Sequence, residues 1–328
     1  MIARRAICLS GGLGMLAACL RSHAQPLKSI RRVGLIFFST ELGWAPYREA
    51  FVQGMRELGW EEGKGVTYLS VYANGDVTRL KALASDLIKK NVDAIVVSDS
   101  PTAHAAQEET STVPIVFVGL SNVVGNGYVA SLARPGGNVT GVASQFEEVL
   151  VKLIEVLHAI VPHARRIAVL VNENNLSHAA FWNAAQNACG ALDLVASRFV
   201  ANSRSQFAPA VEDMVRVRSE AVVVSNDFLF GSERVGLHEL LESAHLPDAY
   251  GYRGHVFAGG LLSYGSNLVA SYAQAARYVD RILRGAKPAD LPVEQPTKFE
   301  LIVNQKSASA LGLTIPQSVL LRADEVIR

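Results

Sequence analysis

The densest cluster of special residues in this 328-residue chain is SLARPGGNVTG, at residues 131–141. A glycine-rich turn can hold a phosphate when it follows a strand and leads into a helix, because the backbone N–H groups then point at the anion. Here the pattern predicts the reverse order: a short helix near 126–133, then PGGN, then a strand. We therefore interpret the stretch as a turn into the last strand of a first lobe, and not as a phosphate cradle.

A second group of polar residues lies where apolar strands end. Hydroxyls, amides and carboxylates at such positions can bind a small ligand, and an aromatic ring such as Trp44, Phe228 or Tyr252 can stack on it. Ser, Asn and Asp are also common helix caps and turn residues, so each position taken alone has a local explanation. As a set spread along the chain they favour a ligand cleft. The candidate ligand-binding residues are Ser39, Thr40, Asp99, Ser100, Ser121, Asn122, Asn174, Asp227 and Tyr252.

The sequence lacks the motifs of the common enzyme classes. It contains no G-x-S-x-G, no Walker loop, no H-E-x-x-H and no C-x-x-C. Its eight histidines are scattered, without a second ligand at metal spacing. Cys189 precedes a glycine that ends a helical pattern, which is typical of buried apolar filler. We therefore predict no catalytic residue, no metal site and no cofactor.

The elements that must position these residues alternate along the chain. Apolar runs at 31–38, 65–73, 93–98, 114–119 and 138–143 are separated by helical patterns, which is typical of parallel sheets covered by helices on both faces. The series restarts at 165, where RRIAVLVN echoes RRVGLIFF at 31. The fold class is therefore α/β, with two doubly wound parallel-sheet lobes and a cleft between them, because ligands of such sheets bind beyond the carboxyl ends of the strands.

The tail of the chain, beyond residue 258, has a looser order and suggests several crossings between the lobes. We assign residues 28–143 with 262–296 to the N-terminal lobe. Residues 144–261 with 297–328 form the C-terminal lobe.

The first 24 residues have the three-part pattern of a secretory signal peptide. Two arginines, Arg4 and Arg5, precede an apolar run over residues 6–20 that is too short for a comfortable membrane span, and small residues follow at 22 and 24. We expect cleavage after Ala24 and a periplasmic protein. The sequence LAAC ending at Cys19 also matches a lipobox, so a lipid on Cys19 that anchors the protein in the cell envelope remains the alternative.

The charge balance excludes one class of partner. The chain has 31 basic and 30 acidic residues without a run of like charges, so the basic footprint of a nucleic-acid-binding protein is missing. With 49% hydrophobic residues, the composition is that of an ordinary globular protein.

Several stretches resemble one known family closely. FVQGMRELGWEEGKGVTY, TSTVPIVFV, ASLARPGGNVTG, GGLLSYG, the long segment from Tyr278 to Pro316 and LLRADEVI resemble the bacterial ABC-transporter substrate-binding proteins described as tryptophan/tyrosine transport components. The resemblance implies a type I periplasmic-binding-protein fold, with a three-strand hinge and a ligand between the lobes. It also implies a membrane permease and a cytoplasmic ATPase as partners.

The resemblance leaves the ligand and the biological role open. Members of the family usually carry Asp-Pro where this chain has Ser121-Asn122, so the resemblance does not fix the identity of the ligand. We expect a small molecule that is an amino acid or an aromatic compound. We expect hinge closure on that ligand and delivery to an ABC importer, with membrane contact only through the transporter or a lipid on Cys19. The first alternative is a ligand-sensing module for a membrane receptor. An exported α/β enzyme is a second, less favoured alternative.

Overall fold

The computed structural model describes residues 30–328, except for the side chains of residues 147 and 148. The predicted signal peptide, residues 1–24, and Cys19 therefore lie outside the described residues. Twelve strands between residues 30 and 328 form two sheets. They are β1 (Arg31–Phe37), β2 (Val66–Tyr72), β3 (Ala94–Val97), β4 (Ile115–Leu120), β5 (Val139–Ala143), β6 (Arg166–Val171), β7 (Val195–Val200), β8 (Ala221–Val224), β9 (Asp248–Tyr250), β10 (Leu262–Ser266), β11 (Phe299–Asn304) and β12 (Glu325–Ile327).

The helices cover the faces of these sheets. No helix in the described range is long and apolar enough to cross a membrane. In chain order the α-helices are α1 (Glu41–Glu57), α2 (Leu80–Lys89), α3 (Ser100–Glu109), α4 (Phe146–Ile160), α5 (Ser177–Gly190), α6 (Phe207–Arg216), α7 (Phe228–Ser232), α8 (Arg234–Ser243), α9 (Arg253–Phe257), α10 (Leu268–Leu283), α11 (Gln305–Ala310) and α12 (Gln317–Leu320), with short 3-10 turns at Val77–Arg79, Arg204–Gln206 and Pro288–Asp290.

The two sheets define two lobes, as predicted. The first sheet has the strand order β2-β1-β3-β4-β5, and all its neighbours are parallel. The second has the order β12-β11-β10-β9-β8-β6-β7, and it is parallel except for the antiparallel pair of β10 and β11. Its central strands, like those of the first sheet, are uninterrupted runs of buried apolar residues, because helices cover both faces.

The chain crosses between the lobes three times. It leaves the first lobe after Ala143, returns after Ser266 to build α10 against α1, and crosses again before Phe299. Two of these segments pair at the hinge, where Ala143 N–H donates to Glu294 O at 2.8 Å. The predicted return at residue 262 is too early, because β10 pairs with β9 and β11 and so belongs to the second sheet.

The helix predicted near residues 126–133 is wrong, because this segment consists of turns. Asn122, Gly127 and Gly136 have positive φ angles of 47°, 75° and 80°, a backbone region that does not continue a right-handed helix. Ala130 N–H donates to Pro135 O at 2.9 Å and closes the loop. The glycine-rich stretch thus re-aims the chain into β5, as the sequence indicated, but it follows a turn.

Candidate functional site

A cavity of about 480 Å³ lies between the two lobes. Its walls come from segments that follow β1, β3 and β4 in the first lobe and β6, β8 and β9 in the second, so it sits beyond the carboxyl ends of both sets of strands. Small-molecule sites commonly have volumes of about 300–1,000 Å³. The cavity therefore has the place and the size expected for a ligand held by both lobes.

Asp99 supplies a buried carboxylate from the first lobe. It is the N-cap of α3, where its side chain accepts hydrogen bonds from Thr102 N at 2.8 Å and from Ser98 Oγ at 2.9 Å. Burial raises its pKa from 3.8 to about 6, and the negative charge of Asp227 adds to that rise. The carboxylate is thus held in a fixed orientation, and a positively charged ligand group would stabilise its ionised form.

Asp227 supplies the second carboxylate, from the second lobe. It caps α7 and accepts hydrogen bonds from Leu229 N at 2.8 Å, Asn172 Nδ2 at 3.1 Å and Asn175 Nδ2 at 2.8 Å. Its side chain is only 5% exposed. Behind it, His178 Nδ1 accepts a hydrogen bond from Asn172 N at 2.8 Å, which leaves Nε2 to carry the proton. This network fixes the strand ends around the carboxylate.

Arg234, at the start of α8, places a guanidinium on the cavity wall. It donates to Gly231 O at 2.8 Å and forms no ion pair with any carboxylate of the described chain. Its charge acts on Tyr47 of the first lobe, where it partly offsets the rise that burial causes in the pKa of that phenol. Arg253, which also lines the cavity, is instead paired with Glu300 at 2.9 Å and Glu325 at 2.5 Å.

Aromatic rings form another wall of the cavity. Trp44 contacts Tyr47, Phe228 and Tyr272 with ring centroids 4.8, 4.3 and 5.4 Å apart. The contact with Phe228 crosses the cleft, because Trp44 lies on α1 and Phe228 on α7. Trp44 Nε1 and Ser39 Oγ are buried and have no hydrogen-bond partner in the described part of the chain. Both residues line the cavity, so a ligand can satisfy them.

Hydrogen bonds through Ser177 join the lobes directly at the inner end of the cavity. Its Oγ lies 3.3 Å from Ser121 O, 3.1 Å from Ser100 Oγ and 3.1 Å from Asn126 Nδ2. A hydroxyl has one proton and two lone pairs. Ser177 therefore donates to Ser121 O and accepts from the other two groups, which fully uses its hydrogen-bonding capacity in this closed arrangement.

The structure brings most of the predicted residues together. Asn174 lines a second cavity of about 270 Å³ that adjoins the first. Thr40 and Asn122 line neither cavity: Thr40 Oγ1 caps α1 by accepting from Gly43 N at 3.3 Å, and Asn122 is an exposed turn residue with positive φ. The predicted residues that line the main cavity are Ser39, Asp99, Ser100, Ser121, Asp227 and Tyr252.

Sequence reasoning missed several lining residues, among them Tyr47, Ser177 and Arg234. All three lie within helices, where tyrosine, serine and arginine are unremarkable surface residues, so the signal of a polar residue at a strand end was not available for them.

Three comparisons with known proteins agree with this geometry. A family model described as "ABC transporter substrate binding protein" matches residues 36–327. A "Tyrosine-binding protein" from Clostridioides difficile (strain R20291) is 22% identical over 266 residues, which cover 81% of this chain and 76% of that protein.

Two solved structures show the same fold. The ABC domain from Streptococcus pneumonia in complex with L-Trp has a TM-score of 0.85 and 24% identity, over 91% of this chain and 100% of the other. The ligand-free, open structure of a substrate binding protein with adhesive properties from Clostridium difficile has a TM-score of 0.66 and 21% identity, over 91% and 99%. The arrangement of two lobes around a cleft is the type I periplasmic-binding-protein fold.

Proposed function

The chain belongs to the family of ABC transporter substrate-binding proteins, and we propose that it captures an aromatic α-amino acid between its lobes for an ABC importer. One observation carries the proposal: a single cavity is lined by two carboxylates, by a guanidinium that has no carboxylate partner among the described side chains, and by an aromatic wall. The ammonium of an amino acid would bind between Asp99 and Asp227. Its carboxylate would bind Arg234, and its ring would pack against Trp44 and Phe228.

The relatives support the same class of ligand. One is a tyrosine-binding protein, and one solved structure holds L-Trp. This chain carries Ser121-Asn122 where the family usually has Asp-Pro. Ser121 offers its backbone oxygen to Ser177, and Asn122 lines neither cavity, so the departure leaves the charged and aromatic walls intact.

Capture would work by closure of the hinge. Asp99 and Arg234 belong to different lobes, so a ligand that binds both gains its full contacts only in the closed state and shifts the population towards it. The higher similarity to the L-Trp complex than to the ligand-free, open structure supports the closed arrangement described above, in which Ser177 joins the lobes.

Delivery requires partners in the membrane. Proteins of this family act outside the cytoplasm and hand a small molecule to an ABC transporter. We propose more specifically that a permease and its ATPase receive the ligand, and that the protein is periplasmic after export by residues 1–24. A lipid on Cys19 is the alternative form of the same localisation. Membership of this family supports solute binding as the activity and does not point to a catalysed reaction.

The proposal is tested by thermal unfolding of the purified chain, stripped of bound ligand, with a panel of compounds. L-Alanine lacks the aromatic ring and tyramine lacks the carboxylate, so comparison with L-tryptophan and L-tyrosine separates the contributions of the ring and the carboxylate. At 100 times the dissociation constant a ligand adds about 2.7 kcal/mol to the free energy of unfolding, so an aromatic amino acid should raise Tm by about 5 °C. A response to L-alanine equal to that of the aromatic amino acids, or no response at all, would contradict the proposal.

A further inference from the structure

Phe228 separates two cavities in the cleft. It is the first residue of α7 and follows Asp227, the cap of that helix. It lines both the main cavity of about 480 Å³ and the second cavity of about 270 Å³. Asp99 and Asp227 are likewise common to both cavities. The ring of Phe228 and these two carboxylates therefore form the partition between the two spaces.

The partition is held in place by its packing. Trp44, 1% exposed, is sandwiched between Phe37 at 4.7 Å and Phe228 at 4.3 Å between ring centroids. Because Trp44 is fixed by the core of the first lobe, the ring of Phe228 cannot swing towards α1 while the lobes are closed. Rotation in the other direction would move the ring into the second cavity.

The second cavity differs in chemistry from the first. Besides the shared carboxylates, its polar lining consists of Asp76, Asn172, Asn174 and Asn202, and its lining includes no lysine, arginine or histidine. Carboxylate and amide oxygens at this density accept hydrogen bonds and favour a positively charged group. Phe228 thus separates an aromatic cavity from a smaller one with acidic character.

We propose that Phe228 is a specificity-determining residue that restricts the ligand to a free amino acid. It would do so by blocking any extension of the amino group into the second cavity. The inference rests on the proposed function, in which the ammonium lies between Asp99 and Asp227. A dipeptide with an aromatic C-terminal residue would need to continue past these carboxylates into the space that the ring of Phe228 occupies. Forcing extra atoms into a packed site weakens binding by about 10- to 100-fold.

The test compares L-tyrosine, glycyl-L-tyrosine and N-acetyl-L-tyrosine by calorimetric titration of the wild-type chain and of Phe228→Ala. In the wild type we expect L-tyrosine to bind about 100-fold more tightly than glycyl-L-tyrosine. In Phe228→Ala that ratio should fall to about tenfold or less, because the two cavities merge. N-Acetyl-L-tyrosine has no positive charge. Its affinity should therefore increase less than that of the dipeptide on going from the wild type to Phe228→Ala, because the newly opened space is acidic.

Two further variants keep the test decisive. Phe257→Ala removes an aromatic side chain that lines the main cavity but not the second, so the ratio should stay at its wild-type value. Phe228→Leu retains an apolar plug and should give an intermediate ratio, which also serves if the alanine variant does not fold. If a folded Phe228 variant binds L-tyrosine and keeps the wild-type ratio of L-tyrosine to glycyl-L-tyrosine affinity, the role of Phe228 as a partition is overturned, while the proposed function stands. Failure of the wild type to bind L-tyrosine or L-tryptophan instead overturns the proposed function, and this inference with it.

Discussion

Replacement of Asp99 by asparagine should remove a pH dependence of ligand affinity that the wild type shows between pH 7 and 5. Asparagine retains a side-chain oxygen that can cap α3, since Asn and Asp are comparable N-caps. The substitution therefore removes the charge while keeping the helix start. Burial is the main cause of the raised pKa of Asp99; the hydrogen bonds from Thr102 and Ser98 lower that pKa, and the charge of Asp227 across the cleft raises it.

The magnitude follows from the pKa of about 6 for Asp99 in the unliganded protein. At pH 7 about nine-tenths of the carboxyl groups are ionised, whereas at pH 5 only about a tenth are. If the ammonium of the ligand binds the ionised form, the apparent affinity falls by about tenfold over that range, equivalent to about 1.4 kcal/mol. In Asp99→Asn the affinity should be lower at pH 7 and nearly constant down to pH 5.

The stability of the unliganded protein should change in the opposite direction. Because the pKa of Asp99 is raised on folding from 3.8 to about 6, the folded state binds more protons than the unfolded state between these values. This contribution to stability is complete below pH 3.8 and is lost as the pH rises through 6; it amounts to roughly 3 kcal/mol. Asp99→Asn lacks it.

The assay is calorimetric titration with L-tyrosine at pH 5, 6 and 7, combined with thermal unfolding of the ligand-free protein at the same pH values. Opposite pH trends of affinity and stability in the wild type, both reduced in Asp99→Asn, are the expected result. An affinity that is constant from pH 7 to 5 in the wild type, or that falls equally in the variant, would refute the assignment of Asp99 as the partner of the ammonium.

Three further predictions test the opposite end of the ligand, the hinge and closure. Arg234→Gln should weaken L-tyrosine binding by about 10- to 100-fold in a titration while leaving tyramine, which has no carboxylate, little changed or tighter; equal losses for both compounds would contradict a carboxylate contact. Gly141→Ala should lower the free energy of unfolding by about 3 kcal/mol, since a Cβ would lie 2.1 Å from Phe117 O, whereas Gly137→Ala, with no atom within 4 Å of its Cβ, should be nearly neutral in the same denaturant melt. Ser177→Ala removes the hydroxyl that joins the lobes and should weaken ligand binding by about tenfold and increase the radius of gyration of the ligand-free protein in X-ray scattering; an unchanged radius and affinity would show that these hydrogen bonds do not favour closure.

The alternation of strands and helices could be predicted because parallel strands buried on both faces are uninterrupted apolar runs. Helix starts also follow from residue type: Asp76, a good N-cap residue, precedes a helical segment, and its carboxylate accepts from Thr78 N at 2.9 Å. The segment around Gly127 was misassigned as a helix, because its apolar spacing is helical while its backbone turns on residues with positive φ. The local sequence pattern alone does not predict which of these two backbone conformations the folded protein adopts.

For the site, the polar residues at strand ends and the aromatic candidates Trp44 and Phe228 were accessible from the sequence. Tyr47, Ser177 and Arg234, which lie in helices, were not. Asp99 and Asp227 were found because parallel strands bring their carboxyl ends to one edge, so that polar residues at those ends converge. Arg234 was missed because its place on the cavity wall depends on how α7 and α8 pack across the cleft. The direct contact of Trp44 with Phe228 likewise depends on how far the two lobes close, which no stretch of sequence encodes by itself.

Calorimetric titration of the ligand-stripped wild-type chain with L-tryptophan and L-tyrosine at pH 7 tests the central claim most directly. We predict saturable binding of at least one of them at one site per chain, with binding weakened in both Asp99→Asn and Arg234→Gln. Absence of heat and of any rise in Tm with either amino acid, for a chain that remains folded, would contradict the capture of an aromatic amino acid in this cleft.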